Sequence, residues 1–181
     1  MTDTTIVAGS VQAPSARSAF TWSTVIAGAL AAWAVAFIFI SLGGGIGLAI
    51  TSPYSGPSAT TMSIGGAIWL IFSETCAYAV GGYLAARLRI RDHIPGPETK
   101  FRDAAHGFMA WVIGVGILTG VVLFAAIVGT HAPTTGTPAV DADTARKAAA
   151  FVSFWSFMAL LFGAVAATLA GMLGGELRDE L

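Results

Sequence analysis

The chain has 181 residues, 55% of them hydrophobic and only 10% charged, against about 25% charged in an average soluble domain. That composition excludes a soluble monomer. A formal net charge of -1 argues in addition against a nucleic-acid partner, because phosphate binding needs a basic excess gathered on one surface.

Residues 1–19 hold Asp3 and a late Arg17, so they lack the positive start of a secretory signal, and the apolar run that follows is too long for one. They are read as a polar, flexible tail preceding a membrane domain over 20–181. From there on the charges are unevenly placed. None lies in the 56 residues between Arg17 and Glu74, the 37 between Asp103 and Asp141, or the 28 between Lys147 and Glu176. About 20 apolar residues cross a bilayer as a helix, so the first gap accommodates two spans and each of the others one. The expected spans are 24–48, 64–86, 105–129 and 149–172, which makes the chain an all-α polytopic membrane protein with four helices in an antiparallel bundle. All seven prolines fall in the tail or the connections, where a missing backbone donor is harmless.

Short loops rich in lysine and arginine stay on the cytoplasmic side. The middle connection holds Arg87, Arg89, Arg91, Lys100 and Arg102, and Arg17 and Arg178 share its side, against Arg146 and Lys147 on the other. Both termini are therefore expected in the cytoplasm. The five basic residues of that connection are expected to face lipid at the membrane edge, chiefly as a topology signal.

Small residues recur every fourth position in two spans: Ser73, Ala77, Gly81 and Ala85 in the second, and Ala159, Gly163, Ala167, Gly171 and Gly175 in the fourth. Lipid is as apolar as leucine, so helices in a membrane associate through close packing and hydrogen bonds, and small residues let backbones approach. These stripes serve either packing within the bundle or association with another chain. Gly43 and Gly47 in the first span and Gly116 and Gly120 in the third extend the pattern.

Glu74 is the one charged residue inside an expected span. With no lysine or arginine at its depth, it is expected as a neutral acid. Trp33, Thr119 and Ser156 lie within about one turn of that depth on the other helices, and the two hydroxyls are candidate partners. The carboxyl either binds and releases a proton or cation, or acts as a hydrogen-bonding residue that fixes helix register. The histidines His93, His106 and His131 show no zinc-ligand spacing. Asp103 is expected to cap the third span, with His106 one turn inside. No nucleophile with its base, no cofactor motif and no metal site is legible, so an enzyme is not expected.

Several segments together carry a resemblance: Phe20-Thr-Trp-Ser-Thr-Val-Ile-Ala-Gly-Ala-Leu30, Ser41-Leu-Gly-Gly-Gly-Ile-Gly-Leu-Ala49, Ile68-Trp69, Gly81-Gly-Tyr-Leu-Ala-Ala-Arg87 and Phe101-Arg-Asp-Ala-Ala-His-Gly-Phe-Met-Ala-Trp111. The chain resembles a group of small four-helix bacterial membrane proteins, mostly proteobacterial and sometimes labelled PhnA-like. That resemblance covers about the first three spans and implies a bacterial inner-membrane protein, with no activity to transfer. Ala86 stands where the group has glycine, and Glu74 lies outside the shared pattern. The sequence reading is thus a non-enzymatic inner-membrane protein that acts through helix contacts, as a homo-oligomer or as a subunit of a larger membrane complex. A small proton- or cation-coupled transporter or channel using Glu74 is the alternative.

Overall fold

A computed structural model describes residues 20–51, 58–90, 96–129 and 141–180. They form four helices: α1 (Trp22–Ile50), α2 (Ala59–Arg87), α3 (Pro97–Gly129) and α4 (Ala142–Asp179). Each is long and apolar enough to cross a membrane, the architecture of a multi-pass membrane protein. The tail over 1–19 lies outside the described residues.

The helices outrun the apolar segments that announce them. α3 starts at Pro97 and α4 at Ala142, each about two turns before the expected span. Local chemistry explains both extensions. Proline is preorganised for the first helical position, where its missing N–H has no partner to lose. The turn that follows is held by an Arg102–Glu98 pair at 3.0 Å. Asp141 caps α4 by accepting the Thr144 N–H at 3.0 Å, and Asp143 pairs with Arg146 and Lys147. Charged turns thus continue helices that the apolar pattern leaves at the membrane boundary. As a result Asp103 lies in the second turn of α3 and does not cap it. Likewise Pro97 opens a helix where a connection was expected. α4, with 38 residues, is about 57 Å long against a hydrocarbon core of about 30 Å.

α2 and α3 each pack on all the other helices, whereas α1 and α4 do not pack on one another among the described residues. Contact is tightest at the end that carries the start of α1 and the end of α4, called here the charged end. A Cβ on Gly81 would stand 2.6 Å from the Gly28 carbonyl oxygen, and one on Gly171 would stand 2.7 Å from that of Asp103. Gly82 and Gly107 both abut the backbone of Ala167. At these positions only glycine permits the backbone approach that membrane helices use in place of a hydrophobic driving force. Ser73, Ala77, Gly81, Ala85, Ala159, Gly163, Ala167, Gly171 and Gly175 are all buried inside the single chain, so both stripes are used by the bundle itself.

At the opposite end the helices diverge. Phe37, Ile38, Ile40, Leu42 and Leu48 of α1 and Val122, Leu123, Phe124 and Ile127 of α3 are exposed. Trp69 is the main tie there: its Nε1 donates to the Phe39 carbonyl at 2.9 Å, and Gly43 leaves room for its ring.

Candidate functional site

Two polar groupings lie inside this apolar bundle. The first is at the charged end. Arg178 is 9% exposed and Asp103 2%. Their contact is a two-pronged fork, Nη1 to Oδ1 at 3.0 Å and Nη2 to Oδ2 at 3.1 Å. Arg178 Nη1 also donates to the Ala86 carbonyl at 3.0 Å, in the last turn of α2, where a cation is favoured by the helix dipole. Its Nε donates to Asp179 at 2.9 Å. Arg89, just beyond α2 and 5% exposed, brings its Nε to 3.0 Å from Asp103 Oδ1. One carboxylate therefore joins α2, α3 and α4, and the planar guanidinium suits a bidentate match that a lysine could not make.

His106, one turn along α3, ties in the fourth helix. It is fully buried and stacked on Phe20, with ring centroids 4.5 Å apart and planes at 27°. Nδ1 lies 2.7 Å from the Arg102 carbonyl, and Nε2 accepts the Thr21 N–H at 3.1 Å. A carbonyl on one nitrogen and an N–H on the other fix a neutral ring protonated on Nδ1. Thr21 precedes α1 and makes no side-chain cap of its own, so His106 satisfies a donor at the start of α1 from another helix.

This charged cluster was not expected from the sequence. The sequence suggests lipid-facing or topology roles for Arg89 and Arg178; in the structure both face Asp103. The signal was present in the register. Asp103, Gly107, Ala110 and Gly114 share one helical face, and so do Ala167, Gly171, Gly175 and Arg178. The apolar pattern hides it because α3 and α4 run beyond their apolar segments and carry these charges inside the bundle. Of the other basic residues, Lys100 pairs with Glu176 at 2.7 Å and is exposed, Arg102 pairs with Glu98, and Arg87 is half-buried. Arg91 lies outside the described residues, as do His93 and His131. Among the described residues no group of three His, Cys, Asp or Glu side chains could hold a metal. With both carboxylate oxygens engaged, this grouping ties α2, α3 and α4 together.

The second grouping surrounds Glu74, which is 8% exposed. It borders a cavity of about 100 Å³ between α1, α2 and α3, lined also by Ala32, Trp33, Ala36, Phe37, Ile40, Tyr78 and Leu118. Trp33 is thus where the depth count places it. Thr119 and Ser156 are not. Thr119 is exposed and Ser156 half-buried, and no hydrogen bond joins either to Glu74. Depth follows from counting residues, but azimuth does not: Leu118 faces the cavity, and Thr119 is turned by about 100° from it. The hydroxyls closest in sequence serve their own helix, Ser73 donating to the Trp69 carbonyl at 2.7 Å and Thr75 to that of Ile71 at 2.6 Å. No basic side chain lines the cavity.

A third feature is apolar. Gly43, Gly47, Gly65 and Gly66 line a groove of about 410 Å³ between the diverging ends of α1 and α2. Gly44, Gly45, Gly65, Gly66, Gly116 and Gly120 have nothing within 4 Å of where a Cβ would stand. Comparison of the chain with protein-family models, with curated proteins and with solved structures finds no match.

Proposed function

We propose that this is a non-enzymatic protein of a bacterial inner membrane, with both termini cytoplasmic, that works by docking its diverging helix ends onto another membrane helix, first of all that of a second copy. The observation that carries this reading is the division among its glycines. Gly28, Gly81, Gly82, Gly107, Gly171, Gly174 and Gly175 of the charged end abut neighbouring helices; at the far end Gly43 is filled by the Trp69 ring, but Gly44, Gly45, Gly65, Gly66, Gly116 and Gly120 face open space. Glycine inside a helix costs about 1 kcal/mol relative to alanine, and adjacent pairs such as Gly65-Gly66 repeat that cost with no contact in the single chain to offset it. A partner helix seated in the groove between α1 and α2 would supply the contact. The arginine-rich middle connection supports the orientation, and the resemblance to small bacterial inner-membrane proteins supports the location.

The test is association in native-lipid nanodiscs, read by native mass spectrometry. An oligomer or a stoichiometric membrane partner is expected, and Gly66→Leu, which fills the groove without touching the fold, should weaken it by about tenfold. A chain that runs as a lone monomer dismisses the reading.

The cavity beside Glu74 favours a second reading, a small proton- or cation-coupled transporter or channel. Intramembrane carboxyls that face a cavity commonly serve such routes. Flux in liposomes that is unchanged by Glu74→Gln dismisses it.

A further inference from the structure

The lining of the Glu74 cavity combines two chemistries. On one wall is a carboxyl more than nine-tenths buried, with no basic side chain beside it. Around it stand the rings of Trp33, Tyr78 and Phe37. A carboxyl in so apolar a place is costly without a partner, and aromatic faces attract cations, Trp most strongly. An inorganic cation fits poorly, because hard ions take six or more oxygen ligands. The side chains lining this cavity offer only the Glu74 carboxyl and the Tyr78 hydroxyl. An organic ammonium ion needs no such shell: its charge is spread over methyl or methylene groups that rest on rings, and one carboxylate neutralises it.

The cavity also has a direction. Phe37, Ile40 and Leu118 on its outer wall are exposed. α1 and α3 meet below it, at Phe20 and His106 and at Val25 and Ala110. From Leu118, which lines the cavity, to Val128 every residue of α3 is exposed. The mouth therefore opens sideways, toward the bilayer. We propose that the cavity is a binding site for a lipophilic organic ammonium ion. Its cationic head lies between Glu74 and the rings of Trp33 and Tyr78, and its hydrocarbon part leaves between Phe37 and Leu118. This deepens the second reading above by naming a ligand class for the same carboxyl, and it requires binding alone, not transport.

The head group is tested with labelled choline by equilibrium dialysis of the full chain in nonionic detergent, with dimethylbutanol, its uncharged carbon isostere, as competitor. The expected result is saturable one-to-one binding that Glu74→Gln weakens by about tenfold or more and Trp33→Leu by about threefold, with excess dimethylbutanol leaving it unchanged. Absence of saturable binding, equal binding by Trp33→Leu or by a helical, monodisperse Glu74→Gln, or displacement by dimethylbutanol overturns the inference. Should Glu74→Gln not fold, Trp33→Leu and the isostere decide. Flux assays on the same proteins reconstituted in liposomes separate the two readings. Glu74-dependent proton flux without choline binding overturns the inference and retains transport; choline binding without flux retains the inference and dismisses transport.

Discussion

Gly175 of α4 lies directly against the carboxylate of Asp103 on α3, so that a Cβ at residue 175 would overlap Oδ2. The glycine is what lets α4 come close enough for Arg178, three residues on, to close its fork on the same carboxylate. Packing and charge are thus one device at this end of the bundle, and each depends on the other.

Replacing Asp103 by asparagine leaves Arg89 and Arg178 buried around a neutral group. Removing one partner of a buried ion pair costs about 3–5 kcal/mol, and a loss of that order is expected in equilibrium unfolding in mixed micelles. Gly175→Ala forces the carboxylate aside and should cost about 1–3 kcal/mol. Gly116→Ala, where nothing stands within 4 Å, should instead be neutral or stabilising by up to about 1 kcal/mol. Equal effects for the two alanine variants would refute this account.

His106 supports α1 through a stacked ring and one accepted hydrogen bond, and the two can be separated. His106→Phe keeps a ring against Phe20 and removes the acceptor for the Thr21 N–H. A loss of about 1–2 kcal/mol is expected, with faster amide exchange confined to the first turn of α1. His106→Ala removes both contacts and should cost more. Unchanged exchange at Thr21 in His106→Phe would show that this donor is satisfied otherwise.

The start of α4 should respond to pH. Thr144 holds the Asp141 carboxyl below the usual aspartate range, through its side chain first and its backbone N–H second. A carboxyl whose folded value is lowered contributes its stability above the unfolded value and loses it as pH falls through the folded one. The first turn of α4 should therefore be ordered at neutral pH and fray in acid below the ordinary aspartate range. Asp141→Asn, which still caps but does not titrate, should abolish the dependence. Amide exchange at residues 142–145 across a pH series reads both outcomes.

How much of the candidate sites was legible differs from residue to residue. Glu74 stood out because it is a lone charge in a long apolar stretch, and Trp33 followed from counting 1.5 Å per residue along neighbouring helices. Thr119 failed on the same count, because depth is a one-dimensional quantity and the face a residue presents is not. Asp103, His106, Arg89 and Arg178 sit at the ends of apolar runs. There a charge inside the bundle and a charge at the headgroups look alike in sequence.

Charge spacing by itself determined that this chain makes four apolar helices, since a bilayer-length apolar run has one stable backbone solution, a helix that satisfies its own hydrogen bonds. The stripes of small residues determined that some of those helices approach closely. Only the tertiary structure decided which faces meet. It shows the glycines that meet neighbouring helices gathered at one end and most of those at the other left open, and it brings Arg89 and Arg178 onto Asp103. The physical reason is that hydropathy is a property of single residues, while a buried ion pair or an empty groove is a property of two helices at a particular rotation. Rotation is set by packing among residues distant in sequence, and no local pattern encodes it.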